Sequence, residues 1–106
     1  MKPLYIFSSG PGGRDLFQLI KDINKKKVEW NVLGYVDKDK NLIGTKIDEL
    51  EVVSPNQINR SVNENIYGIC GVQDPQIRQN IVENEIINNG LKIPILIHPN
   101  AVIAHD

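Results

Sequence analysis

The chain has 106 residues, 41% of them hydrophobic and 24% charged, with a formal net charge of -1. These values are typical of one soluble globular domain and exclude the strong basic charge of many nucleic-acid-binding proteins. No apolar run approaches the roughly 20 residues of a membrane span, and the N-terminus leads directly into a predicted strand rather than a signal peptide. The single Cys70 excludes an internal disulfide and fits the cytoplasm. We therefore expect neither nucleic acid nor membrane as a partner.

The first predicted unit is a strand, a glycine loop and a helix. Leu4 to Phe7 is apolar and aromatic, as in a buried strand, and Ser8 to Gly13 contains three glycines, two serines and a proline. A helix is predicted from about Gly13 to Asn24, because apolar residues recur there at helical spacing. A glycine loop at a helix N-terminus presents backbone N–H groups to an anion, with the helix dipole behind them.

The rest of the chain alternates predicted strands and helices. The strands are Val28–Val36, Ile66–Cys70 and Ile93–Ile97. In the irregular stretch Leu42–Val53, Glu51–Val53 is predicted as one more short strand, and Ile43–Gly44 and Lys46–Ile47 are candidates for short extended pieces. A short helix is predicted from Pro55 to about Ser61 and a longer one from Pro75 to about Asn89, each after a capping residue, with Gly90 ending the longer one. This alternation predicts an α/β fold, a small Rossmann-like parallel sheet of about four strands with helices on both faces.

Three loops are predicted to meet at the carboxyl ends of the strands, where parallel sheets bind ligands. They are Ser8–Gly13, Asp37–Asn41 and Gly71–Asp74. The first loop places Gly10 and Gly13 at two of the three glycines of the dinucleotide pattern G-x-G-x-x-G, with Ser8 in place of the first. Pro11 removes one N–H donor from this loop. A sharp turn that binds nothing is the alternative interpretation.

Asp37 ends the second strand, 24 residues after the last glycine of the loop, where an acid commonly accepts hydrogen bonds from ribose hydroxyls. A turn residue is an equally good interpretation of Asp37, and Lys38 either meets a phosphate or is solvated. Cys70 is interpreted as structural, and His98 and His105 as packed or exposed, because no metal-ligand spacing accompanies them. The residues therefore predict a nucleotide-binding domain with no catalytic residue and no metal site.

Four segments resemble the N-terminal domain of bacterial hexapeptide-repeat sugar acyltransferases, of the sialic acid O-acetyltransferase and UDP-4-amino-sugar N-acetyltransferase type. The segments are Pro3–Leu16, Val32–Asp37, Leu42–Thr45 and Ile95–Ile103. The resemblance implies that residues 1–97 bind a UDP-sugar and that residues 98–106 begin a truncated left-handed β-helix. In the full-length enzyme, the β-helix is expected to bind acetyl-CoA, carry the catalytic histidine and form a homotrimer. The chain is then expected to be a fragment of an enzyme of surface glycan biosynthesis, without a cofactor of its own.

The resemblance also implies roles for particular residues. It assigns the phosphates to Ser9, Gly10, Gly12 and Gly13, the uridine to Asp37 and Lys38, and closure over the nucleotide to Gly71, Val72 and Gln73. The chain differs from the family at Ser8, Pro11 and Gly12, where the family commonly has glycine, glycine and a histidine or bulky residue. These differences leave two alternatives open, a stand-alone nucleotide- or CoA-binding regulatory module and a structural domain whose ligand site has decayed.

Overall fold

The computed structural model describes residues 1–58 and 65–100. The strands are β1 (Lys2–Phe7), β2 (Trp30–Val36), β3 (Lys46–Ile47), β4 (Leu50–Val53) and β5 (Tyr67–Cys70). The helices are α1 (Pro11–Lys26) and α2 (Pro75–Ile81), with a 3-10 turn at Pro55–Gln57 and a π-helical segment at Val82–Ile87 that continues α2. The chain is therefore an α/β protein, as predicted.

The five strands form one mixed sheet in the order β3-β4-β2-β1-β5. Neighbours among β4, β2, β1 and β5 pair in parallel, and β3 pairs antiparallel with β4. From β1 the chain runs outward through β2 to β4 on one side, and then crosses to β5 on the other side. The strand order thus reverses between β1 and β5, and the carboxyl ends of these two strands mark the point where such sheets hold ligands.

The central strand β1 carries the core on both of its faces. Leu4 and Ile6 are fully buried and belong to an apolar cluster with residues of α1. Tyr5 and Phe7 belong to a second cluster, which includes Ile86 of the π-helical segment. Because successive side chains of a strand point to opposite faces of the sheet, β1 is covered by apolar side chains above and below.

Both long helices begin at a proline that follows a cap residue. α1 starts at Pro11, two residues earlier than predicted, with Gly10 as its N-cap. The missing N–H of Pro11 costs nothing there, because first-turn N–H groups have no helical acceptor. At α2, the Asp74 carboxylate accepts hydrogen bonds from the N–H groups of Gln76 and Ile77, which confirms the predicted N-cap.

The second half of the long helix differs from the prediction. The expected α-helix to Asn89 is α-helical only to Ile81 and continues as a π-helical turn through Ile87. Gly90 follows at a φ of 78°, the left-handed conformation expected of the glycine that ends a helix. The short helix predicted from Pro55 is a single 3-10 turn, and the remainder of that prediction, at 59–64, lies outside the described residues.

The prediction of a last strand at Ile93–Ile97 is wrong. Lys92 forms an isolated parallel bridge with Tyr67, and residues 93–97 add no ladder beyond it. Pro94 has no N–H to donate, which explains why pairing stops at this edge. The sheet nevertheless has five strands rather than about four, because the irregular stretch before Ser54 forms the hairpin β3–β4, and the predicted short strand is β4.

The structure covers most of the first predicted domain, residues 1–97, but little of the second, residues 98–106. The expected start of a β-helix at 98–106 lies mostly outside the described residues, since these end at Asn100. In the part that is described, no helix combines the length and the apolar character needed to cross a membrane.

Candidate functional site

The turn from β1 into α1 depends on the backbone conformation of Ser8. Its φ is 96°, in the left-handed region that glycine adopts freely and other residues rarely adopt. The turn thus needs the conformation for which the dinucleotide pattern uses its first glycine. The Ser8 hydroxyl oxygen accepts a hydrogen bond from the Gly10 N–H at 3.3 Å, which offsets part of the strain.

Three glycines have a steric reason inside the protein. A Cβ added to Gly13 would lie 1.9 Å from the carbonyl oxygen of Ser8, so α1 packs onto the end of β1 with no room for a side chain. A Cβ added to Gly12 would lie 1.8 Å from the carbonyl oxygen of Gly71, and one added to Gly71 would lie 2.4 Å from the Gly13 nitrogen. The loop after β5 therefore rests directly on the first turn of α1.

Gly10 is different, because the packing of the chain gives no reason for it. Its φ of -77° and ψ of -169° are open to any residue, and an added Cβ would meet only the Ser8 hydroxyl oxygen, at 3.6 Å. The hydrogen bonds among the described residues include none from the N–H groups of Gly12 or Gly13. Gly13 is buried beneath Gly71 and Gly12 is half-buried, so an anion such as phosphate would approach this helix N-terminus from the side of Gly10.

Asp37 joins the end of β2 to the glycine loop. Its Oδ2 atom accepts hydrogen bonds from the Ser9 hydroxyl at 2.7 Å and the Ser9 N–H at 3.3 Å. Its Oδ1 atom accepts a bond from the Asp39 N–H at 3.0 Å. A carboxylate offers about four acceptor sites, so at most one remains for a ribose hydroxyl.

The charge of Asp37 is set by two opposing effects. Partial burial acts to raise the pKa of its carboxyl, but the hydrogen bonds from Asp39 and Ser9 outweigh this and hold the pKa below its ordinary value. The group is therefore an ionised acceptor at neutral pH. It suits a ligand that brings hydroxyl donors, and it repels a phosphate placed on the same spot.

A cavity of about 160 Å³ lies beside this carboxylate, and we call it the Asp37 cavity. Its lining includes Phe7, Val36, Asp37, Lys38, Ile81 and Glu85. Across it, the Lys38 Nζ and Glu85 Oε2 atoms form an ion pair at 3.3 Å, in which the Glu85 side chain is only 12% exposed. Glu85 lies in the π-helical segment, a type of turn that is frequent at functional sites.

A second cavity, of about 300 Å³, lies between α1 and β5, and we call it the Gly71 cavity. Gly12, Gly71, Val72 and Gln73 contribute to its lining. Leu16, Leu19 and Ile69 of its lining belong to the cluster of α1, whereas Cys70 and Val72 belong to the cluster of Phe7, as do the apolar side chains of the Asp37 cavity. The two cavities thus open mainly on opposite faces of the sheet and meet at the end of β5, where Val72 borders both.

The structure brings most of the predicted site residues together in pairs. Ser9 contacts Asp37, and the first-turn glycines of α1 contact Gly71. Lys38 is paired with Glu85 rather than free, which neither interpretation of Lys38 anticipated. Sequence reasoning missed Ile81 and Glu85, although their spacing of four residues places both on one helix face.

The remaining candidate residues have structural partners. Burial is the main cause of the raised pKa of the Cys70 thiol. The thiol is therefore protonated and poorly nucleophilic at neutral pH. The His98 Nε2 atom lies 3.2 Å from the Asp22 Oδ2 atom, and its Nδ1 atom accepts a hydrogen bond from the Asn100 N–H. No group of metal-binding side chains occurs in 1–58 or 65–100, and His105 lies outside these ranges.

The arrangement as a whole offers the N-terminus of α1 for an anion, an ionised acceptor for a hydroxyl, and a cavity on each side of the loop. No protein-family model matches the chain, and no curated protein matches it. What the site does must therefore be inferred from its own geometry and from the resemblance of its segments.

Proposed function

We propose that the chain is the substrate-binding domain of a bacterial nucleotide-sugar O- or N-acyltransferase, which acts in the cytoplasm in surface glycan biosynthesis. The observation that carries this proposal is Gly10, a glycine at the N-cap of α1 for which the chain's own packing has no need. Glycine at this position of the dinucleotide pattern lets the backbone approach a diphosphate. The strand order β4-β2-β1-β5 and the resemblance of Pro3–Leu16 support the same conclusion.

The diphosphate would lie over Gly10, at the N–H groups of the first turn of α1. One ribose hydroxyl would donate to the Oδ1 atom of Asp37, where one acceptor site is left. The base would enter the Asp37 cavity beside Lys38 and Glu85. At about 160 Å³ this cavity is below the usual 300–1,000 Å³ of ligand sites, which favours a single-ring base such as uracil over a purine.

The division of labour follows from the resemblance. In the full-length enzyme, a β-helix domain would bind acetyl-CoA, carry the catalytic histidine and form the homotrimer. This domain would contribute substrate binding alone, and it would need no cofactor of its own. The nucleotide affinity we expect is millimolar to micromolar, about -4 to -8 kcal/mol.

The test is a titration with UDP, followed by backbone amide chemical shifts, of the wild type and of Gly10→Ala. For the wild type we expect shifts confined to residues 9–14, 37–38 and 71–73. Gly10→Ala should fold normally and lose at least tenfold in affinity, because its methyl group occupies the space for the phosphate. Lys21→Ala, exposed on α1 and outside both cavities, is the control and should bind like the wild type.

Two outcomes would contradict the proposal: no shifts at millimolar UDP, or equal UDP affinity for the wild type and Gly10→Ala. Tighter binding of NAD or CoA than of UDP would instead support the regulatory module. One observation favours the structural domain with a decayed site, namely that Ser9 and Asp39 already use most of the acceptor capacity of Asp37. A folded protein that binds none of the three ligands would support that alternative.

A further inference from the structure

We propose that the Gly71 cavity binds the sugar ring of the nucleotide sugar. This inference rests on the proposed function and gives the sugar a position and a set of contacts of its own. It predicts that the nucleoside and the sugar lie on opposite faces of the sheet, joined by a diphosphate at the N-terminus of α1.

The position follows from the way the two cavities meet at the glycine loop. Gly12 of the first turn of α1 lines the Gly71 cavity, and Val72 borders it on one side and the Asp37 cavity on the other. A diphosphate over Gly10 therefore has one cavity at each end. When the nucleoside fills the cavity that contains the ribose acceptor Asp37, the other substituent of the diphosphate is directed to the Gly71 cavity.

The apolar wall of this cavity matches one face of a pyranose ring. Leu16, Leu19 and Ile69 are only half-buried, and they present branched aliphatic side chains to the cavity. A pyranose has faces made of C–H groups, which pack against such a wall. The volume of about 300 Å³ is at the lower end of ligand sites and fits one ring rather than an oligosaccharide.

The polar rim of the cavity carries side chains whose hydrogen-bonding capacity is unused. Asp15, Gln73 and Arg78 line the cavity, and among the described residues none of their side chains forms a hydrogen bond or an ion pair. By contrast, Arg14 is paired with Asp48 and lies outside this cavity. An ionised acceptor, an amide and a guanidinium around an apolar wall are the groups that bind the hydroxyl and amino substituents of a sugar.

The probe is UDP-N-acetylglucosamine, compared with UDP by amide chemical shifts on the same protein. We expect the shifts that differ between the two ligands to fall at Leu16, Leu19, Ile69 and residues 71–78. Arg78→Ala should weaken UDP-N-acetylglucosamine about five- to tenfold and leave UDP within twofold. Lys21→Ala should change the affinity for neither ligand, and unfolding curves of both variants check that the fold is intact.

Each result decides between the two proposals. Sugar-dependent shifts at the Asp37 cavity, the absence of any such shifts, or an equal loss of both ligands in Arg78→Ala would overturn the sugar position while leaving the nucleotide proposal standing. No UDP binding by the wild type would overturn both.

Discussion

Ser8 shows how one residue sets the shape of the loop. It holds a left-handed conformation in the turn, and its hydroxyl oxygen partly compensates by accepting a hydrogen bond from Gly10. The strain of such a conformation is about 1–3 kcal/mol, and glycine would relieve it at an entropic cost of about 0.5–1 kcal/mol. The strain of serine and the entropic cost of glycine at position 8 are therefore of similar size.

We predict that Ser8→Gly leaves the free energy of unfolding within about 1 kcal/mol of the wild type, because relief of the strain is offset by the lost hydroxyl bond and by the entropic cost of glycine. Ser8→Ala keeps the strained Cβ and loses the hydroxyl, so it should lower the free energy of unfolding by about 1 kcal/mol. Urea unfolding followed by the fluorescence of the single, buried Trp30 measures both variants. Equal losses in the two variants would show that the hydroxyl, and not the strain, dominates.

Alanine substitutions of the loop glycines should differ in their effect on stability, because the glycines differ in the space around them. Gly13→Ala is expected to lower the free energy of unfolding by about 3 kcal/mol, because its methyl group would overlap the carbonyl oxygen of Ser8. Gly10→Ala should change it by only about 0.5 kcal/mol, because the space around Gly10 is open. The same urea unfolding measures both, and a large loss for Gly10→Ala would show a structural need for that glycine.

The carboxylate of Asp37 should make stability depend on acid pH. Since hydrogen bonds hold the folded-state pKa below the unfolded one, the stabilisation is present above pH about 4 and is lost as the pH falls through the lowered value. We expect Asp37→Asn to lose about 1–2 kcal/mol at pH 7, allowing for partial solvent exposure, and the difference from the wild type to shrink as the pH falls below about 4. Asp39→Asn, two residues along and exposed, is the control, and a pH-independent loss in Asp37→Asn would contradict the charge argument.

At the scale of elements, the β3–β4 hairpin carries the most unusual turn. Its two loop residues, Asp48 and Glu49, have φ values of 52° and 68°, in the conformation for which Asn-Gly is the favoured pair. Asp48 is held there by side-chain bonds, because its Oδ2 atom accepts from the Tyr35 hydroxyl at 3.1 Å and from the Arg14 Nε at 3.3 Å. The turn thus ties the sheet edge to β2 and to α1.

Glu49→Gly is predicted to raise the free energy of unfolding by about 0.5–1 kcal/mol, because glycine adopts the positive φ of the turn without strain. The same change at Glu51, an exposed position in β4, should lower it by about 0.5–1 kcal/mol. Thermal unfolding of the two variants provides the comparison. A loss of stability in both variants would mean that Glu49 adopts its positive φ without measurable strain.

How far the sequence predicts the structure also depends on the element. β1, α1 and β5 were predictable, because their apolar spacing and bounding glycines and prolines agree with each other. The two short strands of the hairpin were also indicated, but their antiparallel pairing was not, because an Asp-Glu turn lacks the glycine that signals a hairpin and its conformation depends on the distant Tyr35. The π-helical turn could not be predicted either, because it differs from an α-helix by a single extra residue per turn, which the apolar spacing does not reveal. The Lys38–Glu85 pair joins residues far apart in the chain, and no local pattern signals it.

For the whole molecule, the buried Tyr35 should set an alkaline limit to stability. Burial, and next the hydrogen bond to Asp48, raise the pKa of Tyr35 far above its ordinary value. The stabilisation is complete below pH about 10 and is lost as the pH rises toward the folded-state value, by about 1.4 kcal/mol per pH unit. We expect Tyr35→Phe to lose the Asp48 bond but to show a shallower decline between pH 10 and 11.5.

Urea unfolding at a series of pH values, together with tyrosine absorbance, measures this difference in slope. Tyr35→Phe does not remove the whole decline, because the pKa of the Cys70 thiol is also raised by burial. An equal slope in the wild type and Tyr35→Phe would show that the Tyr35 hydroxyl ionises as readily in the folded protein as in the unfolded one.

The position of β1 has a consequence for how the chain is made. β1 precedes both of its neighbours in the sheet, and these are β2 and the much later β5. On the ribosome, β1 therefore emerges before either partner and stays open on one edge until Tyr67–Cys70 has left the exit tunnel. Until then the nascent chain exposes an edge on which strands of other molecules can pair, and intermolecular pairing competes with the native β1–β5 ladder.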